Sequence, residues 1–378
     1  MPLFRPTICE INTNALRHNY RQLKKSAGLR EILGIVKANA YGHGATTVAR
    51  VLASEGMNVF GVASVEEGIE LRRSGILGEI LCLGGSLGAT AQDLLEYALS
   101  PVLFNEEGVK LLTQQLRDPA KPLGIHLKVD TGMGRLGEHL ENLPSLLKLI
   151  SESPGLRLKS VMTHLARADE DAKEATEEQI KLFEQVEKEI KKSGISCKIF
   201  HLCNSAALLE QTFNVSQWVR PGIALYGAYP HPRFESKVSL RPVMSWKSQI
   251  VSLKDFRTGS PISYGATFVT QRPSRIAVVA VGYADGYFRA FSNRGIMLVH
   301  GRRVPVVGRV CMDLTMIDVT DVPLVHLGDE VVLLGSQHEE SIRAEELASL
   351  IHTISYEIFC AVSARVPRIV VSGGENPS

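Results

Sequence analysis

Glu31-Ile32-Leu33-Gly34-Ile35-Val36-Lys37-Ala38-Asn39-Ala40-Tyr41-Gly42-His43-Gly44 sets an apolar, β-branched run directly against a lysine and a glycine-rich turn. The run Glu31–Val36 has the composition of a buried strand. Seven more β-rich runs follow: Asn58–Val62, Glu79–Leu83, Pro101–Phe104, Leu123–Val129, Leu156–Thr163, Lys198–Leu202 and Trp218–Tyr226. Amphipathic stretches separate them. In Gln179–Lys192 the apolar Ile180, Phe183, Val186 and Ile190 recur at helical spacing, and Leu94, Leu95 and Tyr97 mark a shorter stretch. Strands alternating with helices imply a parallel sheet. Eight of them favour closure into a TIM-like (β/α)8 barrel over a doubly wound open sheet.

Beyond Pro230 the texture changes. Ser248–Leu253, Arg275–Val281, Gly295–His300, Val304–Val310 and Glu330–Leu334 are separated by Gly, Pro and Asp turns, and Ser341–His352 is the one clear helical stretch. This predicts a mostly antiparallel β domain over 231–378, after a barrel over 1–230 whose residues 1–11 are free to pair with it. Tyr229–Arg233, with two prolines, is the expected hinge.

Among the 378 residues, 42 are basic and 40 acidic, giving a net charge of +2. Nothing in that balance points to nucleic acid or a membrane surface. Cys9, Cys82, Cys197, Cys203, Cys311 and Cys360 form no Cys-x-x-Cys pair, so neither a metal site nor a disulfide framework is expected. Met1-Pro2-Leu3-Phe4-Arg5-Pro6 lacks an apolar signal core, and no apolar run approaches the roughly 20 residues of a membrane span. A cytoplasmic protein with reduced thiols is the expectation.

In barrel enzymes the chemistry gathers at the C-terminal ends of the strands. Here the first strand delivers Lys37, and the fifth ends at Lys128 and runs on to Arg135. The sixth delivers His164, the seventh Asn204-Ser205 and the eighth Arg220-Pro221-Gly222-Ile223. A lysine that is not permanently protonated can form a Schiff base with an aldehyde. Ser205 and the backbone near Gly222-Ile223 could hold a phosphate. A charged group facing a pyridine nitrogen tunes an electron sink, and Arg135 could hold a carboxylate by paired hydrogen bonds. Pyridoxal 5'-phosphate with an amino-acid substrate fits all four.

Val36–Gly44 resembles the cofactor-lysine signature of the alanine racemases. The resemblance continues, in the family's order and spacing, through Lys128–Gly137, Thr163–Glu170, Asn204–Ala207, Arg220–Gly227, Ser263–Phe268, Gly282–Gly286, Gly308–Asp313 and Tyr356-Glu357. It implies a head-to-tail homodimer with shared active sites. It also implies interconversion of L- and D-alanine by two bases on a pyridoxal-phosphate aldimine, supplying D-alanine for peptidoglycan. By the same resemblance Lys37 would carry the cofactor and act as one base, with Tyr264 as the other. Tyr41, Ser205, Gly222, Ile223 and Tyr356 would hold the phosphate beside Asn204. Arg220 would face the pyridine nitrogen, with His164 linking it to the catalytic tyrosine. Arg135 and the Met312 N–H would bind the substrate carboxylate, and Tyr283 would line the entry passage with Tyr356. Lys128 matches a position that many members carry as a carbamate, N6-carboxylysine.

Blander readings stand beside these. His43 serves to shape the Gly42–Gly44 turn, Tyr283 is open to a packing role, and Lys128 to pairing unmodified with Asp130. A decarboxylase of this fold type would place an acidic residue where Arg220 stands. A broad-specificity racemase is often exported, against the expectation of no signal peptide here, and assaying alanine, serine, lysine and arginine side by side would decide; a non-catalytic cofactor carrier would lack the second domain.

Overall fold

β1 (Ile8–Asn12) precedes eight strands: β2 (Glu31–Ile35), β3 (Val59–Val62), β4 (Glu79–Cys82), β5 (Leu99–Leu103), β6 (Leu123–Lys128), β7 (Leu156–Met162), β8 (Ile199–His201) and β9 (Trp218–Val219). β2 to β9 pair in parallel in the order β8-β7-β6-β5-β4-β3-β2-β9. The two ends of this sheet meet. Cys203 and Val219 form a parallel bridge, Gln217 N donates to Phe200 O at 2.9 Å, and Arg220 N donates to Cys203 O at 2.8 Å. The sheet is therefore a barrel rather than an open sheet. Helices cover its outer face, so β3 and β5 are buried at every position, which is why these strands are apolar without alternation. The computed structural model describes residues 4–116, 118, 120–211 and 216–372. The outermost residues of the expected domain bounds, 1–3 and 373–378, lie outside the described residues, as does the leading Met1-Pro2-Leu3.

The eighth barrel strand is shorter than its composition suggests. Only Trp218–Val219 pairs, and Ile223–Tyr226 closes a 3-10 turn. Pro221 has no N–H to give a ladder, and its carbonyl instead accepts from Ile35 N at 3.1 Å.

The second half builds on β10 (Met244–Phe256), followed by β11 (Pro261–Ile262), β12 (Phe268–Val269), β13 (Ser274–Val279), β14 (Ile296–Val299), β15 (Arg302–Pro305), β16 (Thr315–Asp318), β17 (Glu330–Gln337), β18 (Glu340–Ile342) and β19 (Arg368–Val371). One sheet runs β15-β14-β17-β10-β1-β19, with β13 joining β10 to β16 and β18 joining β17. All its pairings are antiparallel except β1 with β19. β1 is thus the N-terminal segment built into the second sheet, with Cys9 opposite Trp246. Two expectations are corrected here. The run at Val304–Val310 pairs as Arg302–Pro305. In place of one helix over Ser341–His352 there are two, Ala344–Leu350 and Ser355–Ala361, because Ser341 is taken by the β17–β18 hairpin. The second helix is only seven residues long, too short to register as a periodicity.

Tyr229–Arg233 is pinned rather than free to hinge. Tyr229 N donates to Glu345 Oε1 at 2.9 Å, its hydroxyl donates to Val238 O at 2.9 Å, and Arg233 donates to Ala168 O and Asp169 O. Among the described residues no helix is long and apolar enough to cross a membrane, and no group of three or more His, Cys, Asp or Glu could hold a metal ion.

The helix Glu174–Lys192 buries Phe183, Val186 and Ile190 against the barrel. Phe183 is fully buried and its ring meets Phe200 of β8 edge-on at 6.4 Å. Phe183→Ala is expected to destabilise the fold by about 3–5 kcal/mol through lost burial and a cavity. Glu184→Ala, on the exposed face of the same helix, should stay within about 0.5 kcal/mol. Denaturation midpoints at a fixed protein concentration compare the two.

Candidate active site

The segment after β2 does not continue as an ordinary helix. Ala38, Asn39, Ala40 and Tyr41 all have φ of 52–53°, so the chain makes one left-handed turn at the barrel mouth. Left-handed backbone costs roughly 1–2 kcal/mol per L-residue, and such strain persists only where the surroundings enforce it. They do so here. Glu67 spans two loops, accepting from Ala38 N and Ala63 N at 2.7 Å each. Asn39 Oδ1 accepts from Ala45 N at 2.8 Å. His43 is wholly buried, stacks on Tyr226 at 4.5 Å, and its Nδ1–H reaches the carbonyls of Ala40 (3.0 Å) and Tyr41 (2.9 Å). Burial pushes the His43 imidazole down to about 4, so it serves as a neutral clamp. Gly42, at φ 77°, lies against Phe359 O, where a Cβ would collide. Arg368 Nε donates to Gly42 O at 2.9 Å. These last contacts dock the helix Ser355–Ala361 on the turn and bring Tyr356 and Cys360 beside Lys37.

The result is a cavity of about 600 Å³ at the C-terminal ends of the strands. Eleven residues singled out by the sequence line it: Lys37, Tyr41, Lys128, Arg135, His164, Asn204, Ser205, Arg220, Gly222, Ile223 and Tyr356. Its described lining holds two lysines and two arginines but no aspartate or glutamate. A larger recess of about 780 Å³ opens at the other end of the barrel, among Glu79, Leu156, Lys159 and Ile199. The eleven residues named above all belong to the smaller one.

Burial and neighbouring charge set the basicity of Lys37, Lys128 and Arg220. Burial, then the Arg135 charge, lowers the Lys37 amine below the ordinary 10.5, against a smaller opposing pull from Glu67. Lys128 is buried, and burial followed by the charges of Arg135 and Arg220 brings its amine down to about 8. Asp130 opposes that shift, but its carboxylate accepts from the N–H groups of Gly132, Met133 and Gly134 at 2.8 Å each. Those bonds form the loop that carries Arg135. Arg220 is buried, which brings its guanidinium down to about 10 and leaves it cationic near neutral pH. It donates to Thr163 O (2.6 Å), Leu202 O (3.1 Å), His201 Nδ1 (2.9 Å) and His164 Nδ1 (3.4 Å). Burial and the neighbouring cations hold His164 well below 6.5, so it is neutral.

One part of the lining is a cradle. Ser205 Oγ accepts from Gly222 N at 2.9 Å and from Ala224 N at 3.5 Å. Asn204 caps the following helix by accepting from Ala207 N at 3.0 Å. A Cβ on Gly222 would sit 2.5 Å from Tyr41 Oη, so a glycine is required for that hydroxyl to reach the cradle. Burial raises the phenols of Tyr41 and Tyr356, the latter to about 12, so both remain donors. Hydroxyls, backbone N–H groups and an excess of cations suit a dianionic phosphate at one end and a carboxylate at the other. The residues present therefore fit pyridoxal phosphate.

Three sequence-derived residues are elsewhere. Tyr264, Tyr283 and Met312 are 71%, 42% and 53% exposed, and none lines the cavity. They are nevertheless brought together on one face of the second domain. Ser263 Oγ donates to Arg309 O at 2.7 Å, Tyr283 N to Cys311 O at 3.0 Å, and Ala284 N to Met312 O at 3.0 Å. The sequence reading missed His201, Glu67 and Cys360. His201 left a trace, being a histidine inside a strand that should be apolar.

Residues 11–230 match the family model of the alanine racemase N-terminal domain, and residues 243–370 that of the alanine racemase C-terminal domain. Alanine racemase 2 of Caldanaerobacter subterraneus subsp. tengcongensis is 42% identical over 373 residues, covering 98% of this chain and 96% of its own. The alanine racemase of Carboxydothermus hydrogenoformans is 43% identical over 371 residues, covering 97% and 100%. Among solved structures, the alanine racemase of Bacillus anthracis with bound L-Ala-P superposes with a TM-score of 0.91 at 36% identity, covering 98% of this chain and 96% of that one. The Streptomyces lavendulae alanine racemase gives 0.93 at 32%, covering 99% of each.

An amine near 8, shut in with cations and without a free carboxylate, is chemically ready to take up carbon dioxide. The product anion would turn repulsion from Arg135 into attraction. We expect protein equilibrated with 13C-bicarbonate to show a carbamate carbon resonance that Lys128→Ala lacks. Because the neutral amine is the reactive form, uptake at a fixed concentration of dissolved carbon dioxide should quicken as pH rises through about 8. A spectrum without that resonance would leave Lys128 an ordinary lysine.

Proposed function

The chain belongs to the alanine racemase family, and we propose that it interconverts L- and D-alanine with pyridoxal 5'-phosphate, in sites shared between two copies of the chain. The observation that carries this reading is the cavity at the strand ends, which pairs a lysine of lowered basicity with a carboxylate-free set of cations.

Pyridoxal phosphate, when bound, withdraws electrons from the α-carbon of an amino acid attached to it and makes the hydrogen there acidic. The rest is the work of side chains. Lys37 would hold the cofactor, and its amine, made less basic by burial and Arg135, would then take or return a proton on one face of the α-carbon. Tyr41, Ser205, Tyr356 and the backbone at Gly222-Ile223 would hold the phosphate, with Asn204 fixing the helix that begins at Ser205. Arg135 would grip the substrate carboxylate by paired hydrogen bonds, stiffened by a carbamate on Lys128. Arg220 would face the ring nitrogen. As a guanidinium it donates a hydrogen bond without surrendering its proton, so less charge is drawn off the α-carbon. Return of a proton to that carbon is then favoured over its delivery elsewhere.

Racemisation needs a second proton carrier on the other face. Tyr264, Tyr283 and Met312 lie outside the described cavity lining, on an exposed face of the second domain. Two copies packed head to tail would bring that face over the partner's cavity. Tyr264 of a second copy would then serve the other face of the substrate, Met312 N–H would meet the carboxylate, and Tyr283 would narrow the entrance. The cations of the cavity would favour the ionised form of an entering phenol, and His164 would relay that influence from Arg220. We further propose that the enzyme is cytoplasmic and supplies D-alanine for peptidoglycan.

Circular dichroism of L-alanine incubated with protein and pyridoxal phosphate should decay to zero. Serine, lysine and arginine should decay far more slowly, and Lys37→Ala should lower the alanine rate by at least about 10²-fold. Faster decay with lysine or arginine than with alanine would reassign the substrate, and no decay at all would remove racemisation.

Lys37→Ala and Tyr264→Phe test the shared site. Refolded together, the two inactive variants should recover activity, because in a mixed pair one site receives an intact Lys37 from one chain and an intact Tyr264 from the other. Demonstrated heterodimers as inactive as their parents would place both residues in one chain's site.

A further inference from the structure

Arg220 is the near end of a hydrogen-bonded chain that runs through the barrel interior. Arg220 Nη1 meets His201 Nδ1 at 2.9 Å, and His201 Nε2 lies 2.9 Å from Ser160 Oγ. Ser160 Oγ lies 2.6 Å from His126 Nδ1, and His126 Nε2 lies 3.2 Å from Glu79 Oε1. That same oxygen accepts from Lys159 Nζ at 2.7 Å. His201, Ser160 and His126 are wholly buried, on the adjacent strands β8, β7 and β6. Trp218 packs beside both imidazoles, with ring centroids at 5.4 and 6.2 Å. Glu79 and Lys159 are partly exposed and line the recess at the opposite end of the barrel.

The chemistry of the donors gives this chain a direction. A guanidinium can only donate, so His201 Nδ1 accepts and His201 is neutral with its proton on Nε2. That proton goes to Ser160 Oγ, and the one hydroxyl hydrogen of Ser160 is left for His126 Nδ1. His126 is thereby set in the same neutral tautomer, and its Nε2–H ends on a carboxylate. Every link is used once and all point the same way, which lets each bond polarise the next. Burial keeps both imidazoles below 6.5. Burial alone would raise the Glu79 carboxyl, but the hydrogen bonds from His126 and Lys159 and the Lys159 charge oppose it and hold it below the usual carboxylate range. The chain therefore starts on a cation and ends on an anion. The other tautomer of His201 would aim an N–H at Arg220 and release the guanidinium on that side.

We propose that His201, Ser160, His126 and Glu79 form a one-way positioning chain, which fixes the orientation and hydrogen-bonding strength of Arg220 from the Glu79–Lys159 ion pair at the far mouth of the barrel. Its bearing on the cofactor rests on the role of Arg220 proposed above, whereas the tautomers belong to the polypeptide alone.

Long-range 1H–15N correlation spectra of 15N-histidine protein, with and without pyridoxal phosphate, read the tautomers directly, with His201→Asn and His126→Asn as assignment controls. Both imidazoles should be neutral with the proton on Nε2 across about pH 6–8. A cation, or an Nδ1–H form, at either position would overturn the chain. Ser160→Ala should mix the tautomers of His126, shift the visible absorption of the bound cofactor, and weaken pyridoxal phosphate binding by about three- to tenfold, the effect of one hydrogen bond. Ser160→Thr, which keeps the hydroxyl, should restore all three. If Ser160→Ala changes neither tautomer, spectrum nor affinity, the buried polar residues are packing only. A parent protein that binds no cofactor would instead sink the proposed function and leave the tautomer result standing.

Discussion

The Arg220 guanidinium ties the seam of the barrel to the cavity through the donors on its Nη1 and Nη2. The barrel closes between β8 and β9 with one bridge and two flanking backbone hydrogen bonds rather than a full ladder. Just beyond that seam Arg220 bonds to the carbonyls of Thr163 and Leu202, which follow β7 and β8, and to the rings of His164 and His201. A buried cation without a carboxylate beside it is costly unless its donors are satisfied. Here satisfying them gathers three strand ends around one point. Closure of the barrel and placement of the cation at the cavity floor are thus one constraint.

The left-handed turn at Ala38–Tyr41 follows the strand beside Arg220's own and depends on contacts from outside the barrel wall. Glu67 holds its start, while His43, Phe359 and Arg368 hold its end. The C-terminal segment that supplies Phe359 and Arg368 is itself anchored in the second sheet, where β19 pairs with β1. The second domain is therefore needed to shape the first domain's own lysine turn, quite apart from anything a second copy adds.

Much was legible in the sequence because it follows from local rules. Eight apolar runs separated by amphipathic stretches leave few topologies open, and a barrel's strand ends converge whatever lies between them. Lys37, Arg135, His164, Ser205 and Arg220 could be assigned to one mouth on that ground alone. Boundaries were less legible. Trp218–Tyr226 has the composition of one strand, yet Pro221 ends the pairing, and the seven-residue helix bearing Tyr356 was too short to show a period.

What the sequence determined by itself is the fold class, the residue types at the strand ends and the family, since each is carried by short-range pattern or contiguous motif. The tertiary structure alone decided the rest. It set the basicity of Lys37 and Lys128, because burial and neighbouring charges come from segments distant in the chain. It revealed His201, Ser160 and His126 as linked partners, because strand pairing brings together residues tens of positions apart. It left Tyr264, Tyr283 and Met312 outside the cavity yet side by side on one exposed face. Distance along the chain carries no information about such meetings; the strand order and the path of the chain through space supply it.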